Sequence, residues 1–138
     1  MQKVNRKIEY SLMALKHLCA KVPGERTTAK EVSESYHSPF DATARVMQVM
    51  AQKGWLKSEY GAFGGYQLSK DLSKVSLLDL MNVIQGPSPI AKCIYRDKVE
   101  PCEIQDKCNI ISPIHSLNTR LSNFYSSVSI QELLSQKS

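Results

Sequence analysis

The chain has 138 residues, 42% of them hydrophobic, with a formal charge of +5. That length supports one domain with at most a dimerisation extension, and no apolar run of 18 residues is present to span a membrane. The basic opening Met1–Lys7 has no apolar signal core behind it, so the chain is expected to be cytoplasmic.

Asn5–Lys21 reads as a first helix. Ile8, Leu12, Leu15 and Cys19 fall on one apolar face, and Cys19 is expected to be a small buried hydrophobe on it. Arg6 and Lys7 sit in the first turn, where cations oppose the helix dipole. A nearby phosphate or acidic partner would explain that placement, and a frayed, solvated helix end would explain it equally well. Val22-Pro23-Gly24-Glu25 is a turn.

Thr28 to Leu68 organises the chain. Thr28-Ala29-Lys30-Glu31 has capping-box spacing, and Ala29 and Val32 face inward from the helix it opens. Pro39 pushes Ser38 out of the helical region, so that helix has ended by Ser38 and a new one starts near Pro39 or Asp41. The second helix is Asp41–Lys53, with Val46, Val49 and Met50 as its buried stripe and Gly54 at its C′ position. Trp55–Tyr60 is a strand, Gly61–Gly65 a turn, and Tyr66–Leu68 the return strand. Helix, turn, helix and β-wing make a winged helix-turn-helix, a fold that places one helix in a major groove. Residues 1–70 carry 11 Lys or Arg against 6 Asp or Glu, whereas residues 71–138 carry 7 of each. A cationic half attracts a polyanion and releases counterions on binding; charge alone is also compatible with ordinary solubilisation.

After a polar connector at Lys70–Lys74, Ser76-Leu77-Leu78-Asp79 opens a helix that runs to Gln85 and stops at Gly86-Pro87. Ser88–Lys107 has no clean period and reads as an ordered or ligand-held loop. From Ser112 to Val128 a long helix carries Ile114, Leu117, Leu121, Phe124 and Val128 at spacings of 3, 4, 3 and 4, a seam for helix-to-helix contact. Packing on its own domain is one use of that seam. Homodimerisation is favoured, because a helix-turn-helix reader gains from two half-sites. Ser129–Glu132 opens a short last helix to Ser135. The fold class is therefore mainly α with a small β-hairpin wing. Residues 1–86 form the DNA-binding domain, 87–110 a cysteine-bearing loop, and 111–138 the dimerisation helix with a short terminal helix.

Cys93, Cys102 and Cys108 form a C-x8-C-x5-C array. Reduced cytosolic thiols clustered in this way favour metal or redox chemistry over structural disulfides. Paired C-x2-C zinc knuckles are absent. The wider spacing suits a larger object such as an iron–sulphur cluster, with reactive metal-free cysteines as the alternative. A fourth ligand is missing from the array; Glu9, His37, His115 and an external ligand are the candidates. Lys92, Arg96, Lys98 and Lys107 would lower the thiol pKa values and offset an anionic cluster. An enzyme is not expected: there is no C-x-x-C, no nucleotide loop and no evident base for a cysteine, which leaves a thiol oxidoreductase as the remote alternative.

Across nearly its whole length the chain resembles the IscR/NsrR-type (Rrf) family of bacterial winged-helix transcription regulators. The resemblance rests on Glu9–Leu15, on Lys53-Gly54-Trp55-Leu56 leading to Gly61–Leu68, on Val83–Pro87 before Cys93, and on Ser129–Leu134. It implies a homodimer that binds a double-stranded operator, crosses no membrane and turns over no small-molecule substrate. It also implies a [2Fe–2S] or [4Fe–4S] cluster on Cys93, Cys102 and Cys108, sensing redox, nitric oxide or iron–sulphur status. In some members an acidic residue of the first helix, from the other subunit, is the fourth ligand. Glu9 occupies that position here, although a surface carboxylate paired with Arg6 or Lys7 is its plain reading. Another variant places a His near His37; a third would need a His where this chain has Ile111. His115 reads as a helix-surface histidine.

Relatives usually carry a Tyr-Leu pair where this recognition helix has Ala42-Thr43, so the operator does not carry over. By helical geometry Pro39, Asp41, Thr43 and Arg45 lie near the exposed end, with Gln48 a turn further on, and Arg45 is the best candidate for a bidentate guanine contact. Tyr60, Ala62, Phe63 and Gly64 mark the wing tip, with Phe63 alternatively a core cap, and Arg6 and Lys7 are further candidates for phosphate contact. The expected function is a homodimeric regulator, a repressor, gated through the cysteine loop; a cluster-free regulator gated by thiol oxidation or a partner protein is the alternative.

Overall fold

The computed structural model describes residues 4–22, 24–58, 64–86 and 109–136. Helix α1 (Arg6–Cys19) is capped by Asn5, whose side chain accepts from the Ile8 N–H at 3.1 Å. Its apolar face buries Ile8, Ala14, Leu15 and Leu18, and Ser11 on that face is satisfied by donating to the Lys7 carbonyl. Cys19 departs from expectation. It is exposed, because the buried face ends one residue earlier at Leu18, and its thiol edges a cleft against Leu68, Lys70 and Leu134. Partial burial there still pushes the thiol pKa up.

Helices α2 (Ala29–Tyr36) and α3 (Phe40–Gln52) are the expected pair. Thr28 caps α2 by accepting from the Glu31 N–H at 3.1 Å. The reciprocal half of the box is not formed: the Glu31 carboxylate turns to α1 and the residues just after it, meeting His17 Nε2 at 2.5 Å and Lys21 Nζ at 2.9 Å. The Lys21 ammonium is a stronger partner for a carboxylate than a backbone amide.

α3 closes in a Schellman turn. Gly54 takes φ +82, its N–H donates to Ala51 O, and the Trp55 N–H donates to Met50 O at 2.9 Å. The chain then enters β1 (Leu56–Ser58), which pairs antiparallel with β2 (Tyr66–Leu68), Leu56 opposite Leu68 and Ser58 opposite Tyr66. Trp55 stays out of the described strand and is buried in the core instead. Thr27 extends the sheet by exchanging hydrogen bonds with Tyr66 at 2.9 and 2.8 Å, which ties the wing to the α1–α2 connection.

The polar connector contains a 3-10 turn at Leu72–Lys74, stapled by Asp71 accepting from Ser73. Helix α4 (Leu77–Gln85) has the complete Ser76–Asp79 capping box. Helix α5 (Ile111–Ser127) tolerates Pro113 because it lies in the first turn. Helix α6 (Ile130–Leu134) is capped by Ser129 and anchored by the fully buried Ile130. Leu77 N–H to Val128 O (2.8 Å) and Ile130 N–H to Val75 O (2.9 Å) lace the start of α4 to the α5–α6 junction. Ile8, Leu15, Val32, Met47, Met50, Trp55, Leu80 and Ile130 form one core shared by α1, α2, α3, α4, α6 and the base of the wing.

α5 packs along α4 but buries none of its residues completely. Along the expected seam, Leu117 is 46% and Phe124 61% exposed, with Ile114 and Leu121 half-buried between them. Val128 is the exception: it caps the helix and packs on the protomer's own core.

Candidate nucleic-acid interface

The turn between α2 and α3 is locked by short polar contacts. His37 takes the left-handed conformation (φ 55) that ends α2, and its N–H returns to Ser33 O. The Ser33 hydroxyl donates to Ser38 O at 2.5 Å. Ser38 Oγ and Thr43 Oγ1 lie 2.7 Å apart, and the Thr43 hydroxyl donates to Pro39 O at 2.8 Å. Thr43 is completely buried, so it does not belong among the base-contacting residues where its position near the helix end had placed it. Its hydroxyl is a structural rivet that fixes the angle between the two helices.

The opposite face of α3 is open. Pro39, Asp41, Arg45 and Gln48 are all exposed, and positions 41, 45 and 48 share one side of the helix. Arg45 Nη1 donates to Gln48 Oε1 at 3.4 Å, a long contact that leaves most of the guanidinium free for a ligand. Pro39 forms no side-chain cap. First-turn amides of a helix have no intrahelical acceptor, and an anion placed there satisfies them.

Lys7 shares a cleft of about 150 Å³ with Ala42, Arg45, Val46, Val49 and Ile84, so the start of α1, the open helix and the end of α4 meet there. Arg6 is also exposed, but it is held by Glu9 at 3.0 Å. That pair is the plain reading of Glu9; a surface ion pair contributes little and leaves the carboxylate accessible at small cost. His37 and His115 are exposed, His37 in the helix-ending turn and His115 on α5.

Gly64 and Gly65 close the wing at φ +58 and +106. Gly65 has a second reason to be glycine, since a Cβ there would stand 3.2 Å from Thr27 O and from Arg26 Cβ. Tyr60 and Phe63, and with them Cys93, Cys102 and Cys108, lie outside the described residues.

Two aromatic residues flank the turn and were not singled out in the sequence. Tyr36 is 43% exposed, and its hydroxyl meets His17 Nδ1 at 2.6 Å. Phe40, the first residue of α3, is 53% exposed. By phase it falls at the edge of the buried stripe, three residues before Thr43 and seven before Met47, which hid it among core positions. Behind them, Glu31 joins α2 to His17 and Lys21; the Lys21 hydrogen bond first, then that of His17, holds its carboxyl below the ordinary value. The same contact raises the Lys21 pKa.

A helix pair riveted at its turn, a hairpin at its flank and an open polar helix face define a winged helix-turn-helix DNA-binding protein. The chain belongs to the Rrf2 family, described as iron-dependent transcriptional regulators, and matches it over residues 4–136. It is a transcription regulator, as its relatives NsrR and IscR are, and not an enzyme.

It is 26% identical to the HTH-type transcriptional regulator NsrR of Bacillus subtilis (strain 168) over 119 residues, 86% of this chain and 79% of the relative. In fold it is similar to CymR (YrzC), the global cysteine regulator of B. subtilis, with a TM-score of 0.72 and 22% identity over the whole of both chains. IscR of T. potens superposes with a TM-score of 0.67 and 18% identity, covering 96% of this chain and 86% of that one. Among the described residues no helix is long and apolar enough to cross a membrane.

Proposed function

We propose that the protein binds its operator as a homodimer, as a repressor, and that residues 87–110 make this binding responsive to redox, nitric oxide or iron–sulphur status through a cluster on Cys93, Cys102 and Cys108. Dimerisation is supported by the exposed Leu117 and Phe124 on a helix that buries no residue within its own protomer. An apolar seam of this kind is stabilised by a second copy of itself.

The observation that carries the sensing reading is where the cysteine segment begins. It leaves α4 just beyond Ile84, and Ile84 lines the same cleft as Lys7 and the DNA-reading Arg45. Gln85 Nε2, at that exit, is a buried donor without an acceptor among the described residues. Three thiolates, a carboxylate at Glu9 and a spare amide donor suit an iron–sulphur cluster, whose sulphurs accept hydrogen bonds. When bound, the cluster would supply redox and nitric oxide reactivity; the protein's part is to hold it on three thiolates between α4 and α5. The names of NsrR and IscR among its relatives support the same reading.

A second reading keeps the dimer and the operator but leaves the thiols free of any cluster, gated by oxidation or by a partner protein. The likeness to the global cysteine regulator CymR over the whole chain favours it. An anaerobic visible spectrum with iron and sulphide analysis, on wild type and Cys102→Ser, separates the two. A brown wild type with matched iron and sulphide, lost in the variant, supports the cluster. A colourless, iron-free wild type after reconstitution supports thiol gating. Equal operator affinity with and without the cluster would remove sensing from the first reading.

A further inference from the structure

Phe40 is an anomaly that the fold does not absorb. A large apolar side chain more than half exposed gains nothing from water, and single exposed apolar residues matter when they stand at a binding surface. Among the described residues Leu117 and Phe124, also exposed on a helix, belong to the α5 seam, and Tyr36 on α2 has a hydroxyl engaged by His17. Phe40 is on the opposite business of the molecule, at the leading end of the DNA-reading helix.

Its position is well fixed. The residue follows Pro39, whose backbone is extended with φ −60 and ψ 131, and the carbonyl of Pro39 receives both the hydroxyl and the N–H of Thr43. The helix end that carries Phe40 is therefore tied down by two hydrogen bonds to one carbonyl. Helical side chains lean toward the N-terminus, so the ring of a first-turn residue projects past the helix end. It stands about 100° round the helix from Asp41. When the Asp41, Arg45 and Gln48 face looks at the centre of the groove floor, Phe40 looks at the margin of that floor, beside the backbone. The apolar group there is the C5-methyl of thymine, and phenylalanine is one of the side chains that contact it.

We infer that Phe40 is a specificity-determining residue that reads a thymine methyl at the edge of each half-site. The inference rests on α3 being the helix that enters the major groove. The test begins with a duplex selected from a randomised pool by the full-length protein. Each thymine is then replaced in turn by deoxyuridine, which removes the methyl and leaves base pairing unchanged, and binding is followed by fluorescence anisotropy.

Wild type is expected to weaken about fourfold at one thymine per half-site, the scale of one methyl group removed from contact. Phe40→Ala should bind the thymine and deoxyuridine duplexes equally, and Phe40→Leu, which keeps apolar bulk, should retain part of the difference. A Phe40→Ala variant that keeps the wild-type deoxyuridine pattern overturns the assignment. If Arg45→Ala weakens binding in that same experiment, only the role of Phe40 has failed. If Phe40→Ala and Arg45→Ala both bind like wild type, α3 is not the reading helix and the docking itself is wrong.

Discussion

The rivet at Thr43 gives the sharpest test of how the recognition helix is set. A threonine hydroxyl has one proton, and here it goes to the Pro39 carbonyl at 2.8 Å. The Ser38 hydroxyl, 2.7 Å away in a residue only 8% exposed, must therefore be the donor to Thr43 Oγ1. Thr43→Val keeps the branched shape, so the packing contribution is close to zero. It removes two hydrogen bonds, the one to Pro39 O and the one from Ser38, and strands the Ser38 proton in a buried site, a combined cost of about 1–3 kcal/mol. Urea unfolding followed by far-ultraviolet circular dichroism, at one protein concentration for all variants, reads this directly. Ser38→Ala in the Thr43→Val background should cost less than it does alone, because the stranded donor is gone, giving a coupling of about 1 kcal/mol. A Thr43→Val protein within about 0.5 kcal/mol of wild type, or strict additivity with Ser38→Ala, would refute the argument. Base preference on the selected duplex should survive Thr43→Val, since the residue faces the protein.

Glu31 contributes acid-limb stability: its depressed carboxyl pKa makes that contribution complete above the ordinary 4.5 and lost as pH falls through the lower folded value. The stability gap between wild type and Glu31→Gln should accordingly narrow as pH drops below 4.5, and a constant gap would contradict the Lys21 and His17 contacts. Gly65→Ala should destabilise by more than about 1 kcal/mol through left-handed backbone and a close approach to Thr27 O, whereas Gly64→Ala, with open space around its Cβ, meets backbone strain alone. Equal melting temperatures for the two would show that the wing–Thr27 contact is not tight. Phe124→Asp on the α5 seam is expected to shift sedimentation to the monomer and to weaken operator binding by at least about tenfold, as one half-site is lost. A dimer of unchanged stability would move the interface elsewhere.

Much of this architecture was legible because its signals are local. Thr28, Ser76 and Ser129 each announce a helix start by side chain and spacing, and all three act as N-caps; Asn5, read as the first residue of α1, is the cap just outside it. Gly54 and Gly86 mark two helix ends, both at positive φ. The misreadings fall where a side chain chose between local and distant partners. Glu31 had the spacing to complete a capping box, but α1 brings His17 and Lys21 to it, and chain order does not encode that approach. Thr43 lies near the open end of the helix, but its phase is that of the buried stripe, three, four and seven residues before Val46, Met47 and Met50, and Ser38 folds back over it. Phe40 was missed for the converse reason, since its phase matches the buried stripe but no neighbouring element reaches far enough to cover it. Cys19 likewise continues the apolar period of α1 one step beyond the core.

The placement of the cysteine segment constrains how a signal can travel, whichever chemistry the thiols perform. Residues 87–108 are bounded by α4 and α5, which pack against each other, and Leu77 and Val128 pin the far end of that pair by a backbone hydrogen bond. With one end pinned, a change in the path of the segment acts at the opposite end of α4, around Ile84 and Gly86. Ile84 lines one small cleft with Val49 and Arg45 of α3 and Lys7 of α1, where α4 packs on α3. The packing of α4 on α3 would transmit a shift of α4 to the middle of the recognition helix, while the Ser38–Thr43 rivet holds the helix's leading end to the turn. The expected motion is thus a pivot of α3 about its N-terminal end. In a dimer joined at α5, that pivot would alter the angle between two reading helices more than the distance of either from its own turn. Half-site spacing would respond to the sensor while Arg45 and Phe40 kept their local geometry, so that signal and sequence preference are separable properties of the same helix.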